Sequence, residues 1–247
     1  MKAFAIDINC DVGEGIGNEP EIFPYISSCN IACGGHAGTE ETMSKVVALA
    51  LEHGVKIGAH PSYPDKANFG REVLNIPNEM LIQSIKDQMN VFDIILNRKK
   101  VKLHHIKAHG ALYNQTAKDP KLAKTYLEAI SAYKEKAVLY VPFGSVVAEL
   151  AMEVGFQIWY EAFADRNYNA DLSLVSRKSD NALIQEPKEA LAHVLPIIKD
   201  AKVKTVSGRF HKIEANTLCV HGDTASALEI LMYLSRELPK NQVQIQK

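Results

Sequence analysis

Residues 28–61 read SCNIACGGHAGTEETMSKVVALALEHGVKIGAHP. An apolar run ends in Cys33-Gly34-Gly35-His36, and a second ends in Gly58-Ala59-His60-Pro61. Between them Thr39 can cap a helix in which Met43, Val46, Val47, Ala50 and Leu51 recur at three- and four-residue spacing, so one stripe faces a core, and Gly54 supplies the stop. Strand, loop, helix, strand is the unit that joins parallel strands.

The same alternation recurs on both sides. Strands are expected at 3–8, 28–32, 56–59, 105–108, 138–141, 157–162 and 217–220, and further helices at 78–97, 119–133, 145–153 and 224–236. This rhythm predicts an α/β protein, and its repetition favours closure into a β/α barrel. Such a barrel occupies a length of 247 residues as one domain. Residues 166–212 break the rhythm with a polar stretch, a helix candidate at 187–199 and a strand-like piece at 204–207, read here as an irregular insertion.

Composition narrows the class. Apolar residues at 47% and charged residues at 23% suffice for a sizeable core and exclude disorder. A net charge of −1, with Lys and Arg spread along the chain, gives no footprint for nucleic acid or anionic membrane. The run Arg98-Lys99-Lys100 falls at a helix end, where its charge suits the dipole. The opening residues reach Asp7 before a signal-length apolar run forms and no segment approaches a membrane span, so a cytoplasmic protein is expected. Cys10, Cys29, Cys33 and Cys219 read as reduced thiols, since Cys29 and Cys33 lack a second pair for zinc.

Chemistry gathers at the strand ends. Strand one runs into Asp7, Asn9, Asp11 and Gly13-Glu14, strand two into His36, strand three into His60, and strand four into Lys107-Ala108-His109-Gly110. Strand six leads through Glu161 to Asp165-Arg166, and the last strand reaches His221-Gly222-Asp223-Thr224. In a parallel barrel these ends share one crater, where catalytic groups sit. A lone histidine is usually structural, and His53, His104, His105, His193 and His211 are read so. Recurrence at equivalent strand ends marks His36, His60, His109 and His221 instead, together with Asp11 and Glu161. Asn9 alternates with Asp11, while Asp223 reads as a helix cap. Lys107, Arg71, Arg166 and Arg177 suit a carboxylate or phosphate. The sequence lacks G-x-S-x-G, so hydrolysis by activated water is favoured, and it lacks both the P-loop and the G-x-G-x-x-G fingerprint, so any nucleotide is expected on another chain.

The segments 8–14, 29–38, 58–65, 107–114, 161–166, 174–177 and 219–224 together resemble the LamB/YcsF family, in family order across nearly the whole chain. Departures from the family pattern fall at Thr39, Ser62, Glu72 and Ala108. The resemblance implies a seven-stranded β/α barrel similar to glycoside hydrolases and polysaccharide deacetylases. It also implies the A component of an ATP-hydrolysing 5-oxoprolinase, which acts with subunits B and C to open 5-oxoproline to L-glutamate. ATP is then a co-substrate bound mainly by the partners.

In that reading Asp11, assisted by a crater histidine, activates water, and His60 or His109 protonates the departing nitrogen. Lys107 and Arg166 neutralise phosphate or substrate carboxylate, and Asn9, Arg71, Asp165, Arg177 and His221 complete the substrate site. Deacetylase-like barrels use Asp and His to hold a metal, and Asp11, His36 and His60 are the candidate ligands here. Pro64 stands where the second histidine of an H-x-x-x-H pair belongs. Two rival readings are a stand-alone metal-dependent deacetylase and a non-catalytic subunit that captures the lactam.

Overall fold

The computed structural model describes residues 4–247. Strand β1 (Phe4–Val12) and a helical turn α1 (Glu19–Ile22) lead into β2 (Ser28–Ala32), α2 (Glu40–Glu52) and β3 (Lys56–His60). Next come α3 (Asn78–Arg98), β4 (His105–Lys107), α4 (Gly110–Thr116), α5 (Pro120–Ala129), β5 (Val138–Pro142), α6 (Val146–Glu153) and β6 (Ile158–Phe163). Helix α7 (Pro187–Asp200) precedes an antiparallel hairpin of β7 (Lys202–Lys204) and β8 (Phe210–Lys212), followed by β9 (Thr217–His221), α8 (Ala227–Lys240) and β10 (Val243–Ile245). Seven parallel strands pair in the order β1-β2-β3-β4-β5-β6-β9, and β9 returns to β1 to close the barrel.

The expected strands all form, with shifted ends. Position 3 lies outside the described residues, and β1 continues through Val12, because Asn9 to Val12 pair with β2 and Asp7 to Asp11 with β9. The piece expected at 204–207 forms instead at Lys202–Lys204. Helix α4, and strand β10 pairing with the start of β1, add to the elements expected from the sequence pattern. In α2 the hydroxyl of Thr39 accepts from the Thr42 amide, as its capping position requires, and Met43, Val46, Val47 and Ala50 are buried. Leu51 is 49% exposed, because 100° per residue carries it about 90° from the centre of that stripe. Residues 166–212 bridge strands β6 and β9, with α7 packed against α8.

The hydrophobic core lies between barrel and helices. On β1, Ile6, Ile8 and Cys10 turn outward and are at most 1% exposed, and along α3 Leu81, Ile85, Met89 and Phe92 meet the same layer. Each such side chain contributes about 1.5–3 kcal/mol by burial. The residues that alternate with them line a polar interior. Asp7 accepts hydrogen bonds from Ser28 Oγ and Thr217 Oγ1, both 2.7 Å, and pairs with Lys56 at 3.3 Å. That carboxylate seals the lower end of the barrel, one layer below Asn9 and two below Asp11.

Above it, the His105 ring stacks on Tyr140 with centroids 4.0 Å apart and donates from Nε2 to Asn30 Oδ1 at 2.7 Å. Its other nitrogen lies 3.0 Å from His104 Nδ1, so His105 is a satisfied core residue, as read from the sequence. The ring occupies the space where a side chain at position 58 would stand, which is why β3 carries Gly58 there. Gly58→Ala is expected to cost about 2–3 kcal/mol, measured by urea denaturation, with a matching fall in Tm.

Candidate active site

Two groups of side chains meet at the carboxyl ends of the strands. The first is built around Lys107, which β4 directs inward and which is 2% exposed. Its ammonium lies 3.0 Å from Asp11 Oδ1, 3.0 Å from Glu161 Oε1 and 3.1 Å from Cys219 Sγ. Burial by itself would strip the proton from Lys107, but the charges of Asp11 and Glu161 outweigh it and hold the ammonium well above its ordinary pKa. Burial pushes the Cys219 thiol up, so it stays protonated.

Asp11 receives a second hydrogen bond from Asn30 Nδ2 at 2.7 Å, and its other oxygen faces His60 Nε2 at 3.4 Å. Burial works to raise the Asp11 carboxyl, and His60 and Lys107 overcome it, holding it well below the usual carboxylate range. Asn9 donates to Glu161 Oε1 at 2.8 Å and accepts from Asn30. Asn9 and Glu161 are thereby committed to the floor of the crater and position Lys107 and Asp11.

On the β9 side, Asp165 accepts from the His221 amide at 3.1 Å, from His221 Nδ1 at 3.0 Å and from Thr224 Oγ1 at 2.7 Å. Burial opposes the Asp165 charge, and the charge and hydrogen bonds of His221 together with Thr224 more than offset it, so its pKa is lowered. Asp165 has no exposed surface. It therefore orients His221, fixes the proton on Nδ1 and leaves Nε2 outward. The ligand atoms of Asp11, Cys219 and His221 lie within 4.8 Å of one another, which puts the Asp11 carboxylate and this imidazole side by side.

The second group holds His36, His60, His109 and Glu14. His36 stacks on His109 with centroids 3.6 Å apart, and Phe69 lies edge-on to both rings. His60 donates from Nδ1 to the Lys107 carbonyl at 2.8 Å, and His109 donates from Nε2 to the Phe69 carbonyl at 2.9 Å. A carbonyl only accepts, so the opposite nitrogens, His60 Nε2 and His109 Nδ1, carry lone pairs in the neutral rings. These two atoms face each other at 3.0 Å. Burial lowers the pKa of His109, and it carries His36 down to about 4.

Glu14 Oε1 joins them, 2.9 Å from His36 Nε2, 3.3 Å from His109 Nδ1 and 3.9 Å from His60 Nε2. Gly13 and Gly15, at φ 73° and 86°, give the left-handed turns that fold Glu14 back over the barrel mouth. Burial would raise the Glu14 carboxyl, yet contacts with His109 and His36 keep it below the carboxylate range. The ligand atoms of all four residues lie within 4.8 Å of one another, so His36 and His60, expected as ligands with Asp11, are grouped here with Glu14 and His109 in a set that could hold a metal, while Asp11 falls in a second such group with Cys219 and His221.

At the rim, Arg71 and Arg177 both reach Asp223, the latter at 3.5 Å. Asp223 is thus an ion-pair partner of two arginines; α8 begins later, after Ser226. Arg166 is buried, donating from Nη2 to the Val175 carbonyl at 2.6 Å with Nε unpartnered.

The sequence model of the LamB/YcsF family matches residues 6–247. The chain belongs to the LamB/YcsF family. It is 44% identical to the 5-oxoprolinase A subunit of Shouchella clausii, across 98% of this chain and 97% of that one. It is 36% identical to the 5-oxoprolinase A subunit of Pyrococcus furiosus, across 97% and 96%. Among solved structures, a lactam utilization protein from Thermus thermophilus superposes with a TM-score of 0.91 at 32% identity, covering 98% of this chain and 99% of that chain. A peptidoglycan deacetylase from Bacillus subtilis, 10% identical with a TM-score of 0.50 over 99% and 88% of the two chains, shares the fold alone.

Within this LamB/YcsF barrel, Glu14 and Asn30 are the site residues to which the sequence motifs assign no role. The signal for Glu14 is present, an acid between two glycines just past a strand end. Asn30 has none, because an inward-facing amide on a buried strand looks like any polar interruption. Two outcomes follow from the buried charges. Lys107→Met is expected to lose about 3–5 kcal/mol in urea denaturation, because two carboxylates are left without their cation. For Asp165→Asn, the depressed folded pKa predicts a stability deficit that is full above about pH 4 and narrows as pH falls through the folded value, read by urea denaturation at a series of pH values.

Proposed function

We propose that this chain is the A component of a 5-oxoprolinase, opening 5-oxo-L-proline to L-glutamate with partner subunits B and C. ATP is handled mainly by those partners, in keeping with a sequence that has no phosphate-binding loop. The observation that carries the reading is the pairing, within one crater, of a buried ionised carboxylate with an imidazole oriented by a second carboxylate: Asp11 beside His221, with Asp165 behind. The names of the relatives supply the substrate class.

Hydrolysis needs a proton taken from water and a proton given to the ring nitrogen. Asp11 Oδ2 takes the first as the water oxygen bonds to the lactam carbon. His60 and His109 spend their N–H groups on backbone carbonyls and do not offer one inward as neutral rings, so the acid expected at those positions is assigned instead to His221. As an imidazolium held through its Nδ1–H by the Asp165 carboxylate, it gives its Nε2 proton to the nitrogen as the carbon–nitrogen bond breaks and is left a neutral ring. Lys107 keeps Asp11 ionised, while Arg71, Arg177 and Arg166 form the basic rim for the substrate carboxylate or a phosphate.

The test is glutamate release from 5-oxoproline by the chain with subunits B and C, with each component and ATP omitted in turn. Release is expected only in the full mixture. Asp11→Asn should abolish it and His221→Asn should slow it by about 10²–10⁴-fold. Glutamate release by Asp11→Asn at the wild-type rate would overturn the role of Asp11, and ATP-independent turnover by this chain alone would overturn the assignment to a multi-subunit enzyme.

A further inference from the structure

Glu14, His36, His60 and His109 come from the ends of three strands and one loop, and their donor atoms converge within 4.8 Å of one another. When both rings are neutral, the lone pairs of His60 Nε2 and His109 Nδ1 point at each other at 3.0 Å, because the far N–H groups are taken by the carbonyls of Lys107 and Phe69. The Glu14 side chain is 4% exposed, and its ion pairs among the described residues are all with these histidines. Lys107, the buried cation nearby, is engaged by Asp11 and Glu161. A desolvated carboxylate and two facing lone pairs repel one another unless a proton or a metal cation sits among them, and a metal cation can engage all four donor atoms at once.

We infer that these four residues form a binding site for a single first-row divalent cation, Zn²⁺ by its three-nitrogen, one-oxygen donor set, with His36 and His60 Nε2, His109 Nδ1 and Glu14 Oε1 as ligands. A tetrahedral ion about 2.0–2.1 Å from each ligand sets its ligand atoms about 3.3–3.4 Å apart. The observed separations of 2.9, 3.0, 3.3 and 3.9 Å bracket that edge. The carbonyls behind His60 and His109 do what outer partners do in zinc sites, holding the far N–H so that the near nitrogen is free to ligate. Asp11 stands outside this group: Lys107 and Asn30 take its Oδ1, and its Oδ2 faces His60 from the side of Cys219 and His221. Bound there, the ion supplies Lewis acidity beside Asp11. The assignment rests on the cluster alone and stands or falls separately from the lactam reading, since its test uses neither substrate nor partner subunits.

The full chain, freed of any tag and stripped with chelator, is titrated with Zn²⁺ by calorimetry and with Co²⁺ by visible absorption. One equivalent of zinc and a four-coordinate cobalt spectrum without a thiolate charge-transfer band are expected. Glu14→Gln and His109→Ala should each weaken zinc binding at least about 100-fold, with circular dichroism confirming the fold, while Cys219→Ser binds as wild type does. Where a ligand variant fails to fold, the wild-type cobalt spectrum decides. Substoichiometric uptake by folded wild type at micromolar zinc, unchanged affinity in folded Glu14→Gln, or a thiolate band that Cys219→Ser removes would each overturn the site.

Discussion

The ammonium of Lys107 sits inside a closed ring of strands, where its charge is shielded from water and balanced by Asp11 and Glu161, each at 3.0 Å. Desolvating one ammonium and two carboxylates costs several kcal/mol per ion, and only near-complete hydrogen bonding offsets it. Much of the barrel interior can be understood as that compensation. Asn9 donates to Glu161 Oε1 and Asn30 to Asp11 and Asn9, His105 satisfies Asn30, and Gly58 clears the space that His105 requires. An ordinary barrel of this class packs its centre with branched aliphatic side chains. Here that work moves to the layer between strands and helices, where the outward-facing residues of β1 meet the stripe of α3.

A polar interior also explains why the crater divides into two halves. On the β1 and β9 side, strand register sets Asp11 beside His221, and Asp165 fixes the imidazole. On the β2 to β4 side, backbone carbonyls fix the tautomers of His60 and His109, while Phe69 walls the rings off. The first half sets a carboxylate beside an oriented imidazole, and the second gathers three imidazoles around the Glu14 carboxylate. Lys107 links them physically, its side chain reaching Asp11 and its carbonyl holding His60. The apolar layer behind the strands is built from other side chains, so stability and chemistry draw largely on different residues.

Much of this was legible in the chain itself. The β/α rhythm, the seven strands and the cap at Thr39 follow from local periodicity and turn chemistry, which act over a few residues and survive into the folded state. The strand-end positions of Asp11, His36, His60, His109 and Lys107 were legible for the same reason, because parallel strands in one barrel deliver their carboxyl ends to one place.

What tertiary structure decided was partnership. Asn9 meets Glu161 across 152 positions of chain, and Asp165 meets His221 across 56. Neither pairing leaves a trace in local spacing, so residues that looked like substrate contacts became supports for others. Glu14 took its place through a turn of two left-handed glycines, and Asp223 exchanged a capping role for two arginines. The sequence determined which chemical groups arrive at the barrel mouth, because period and pattern are local. Only the closed fold decided which groups face which, because hydrogen-bond direction and tautomer depend on atoms brought together from far along the chain.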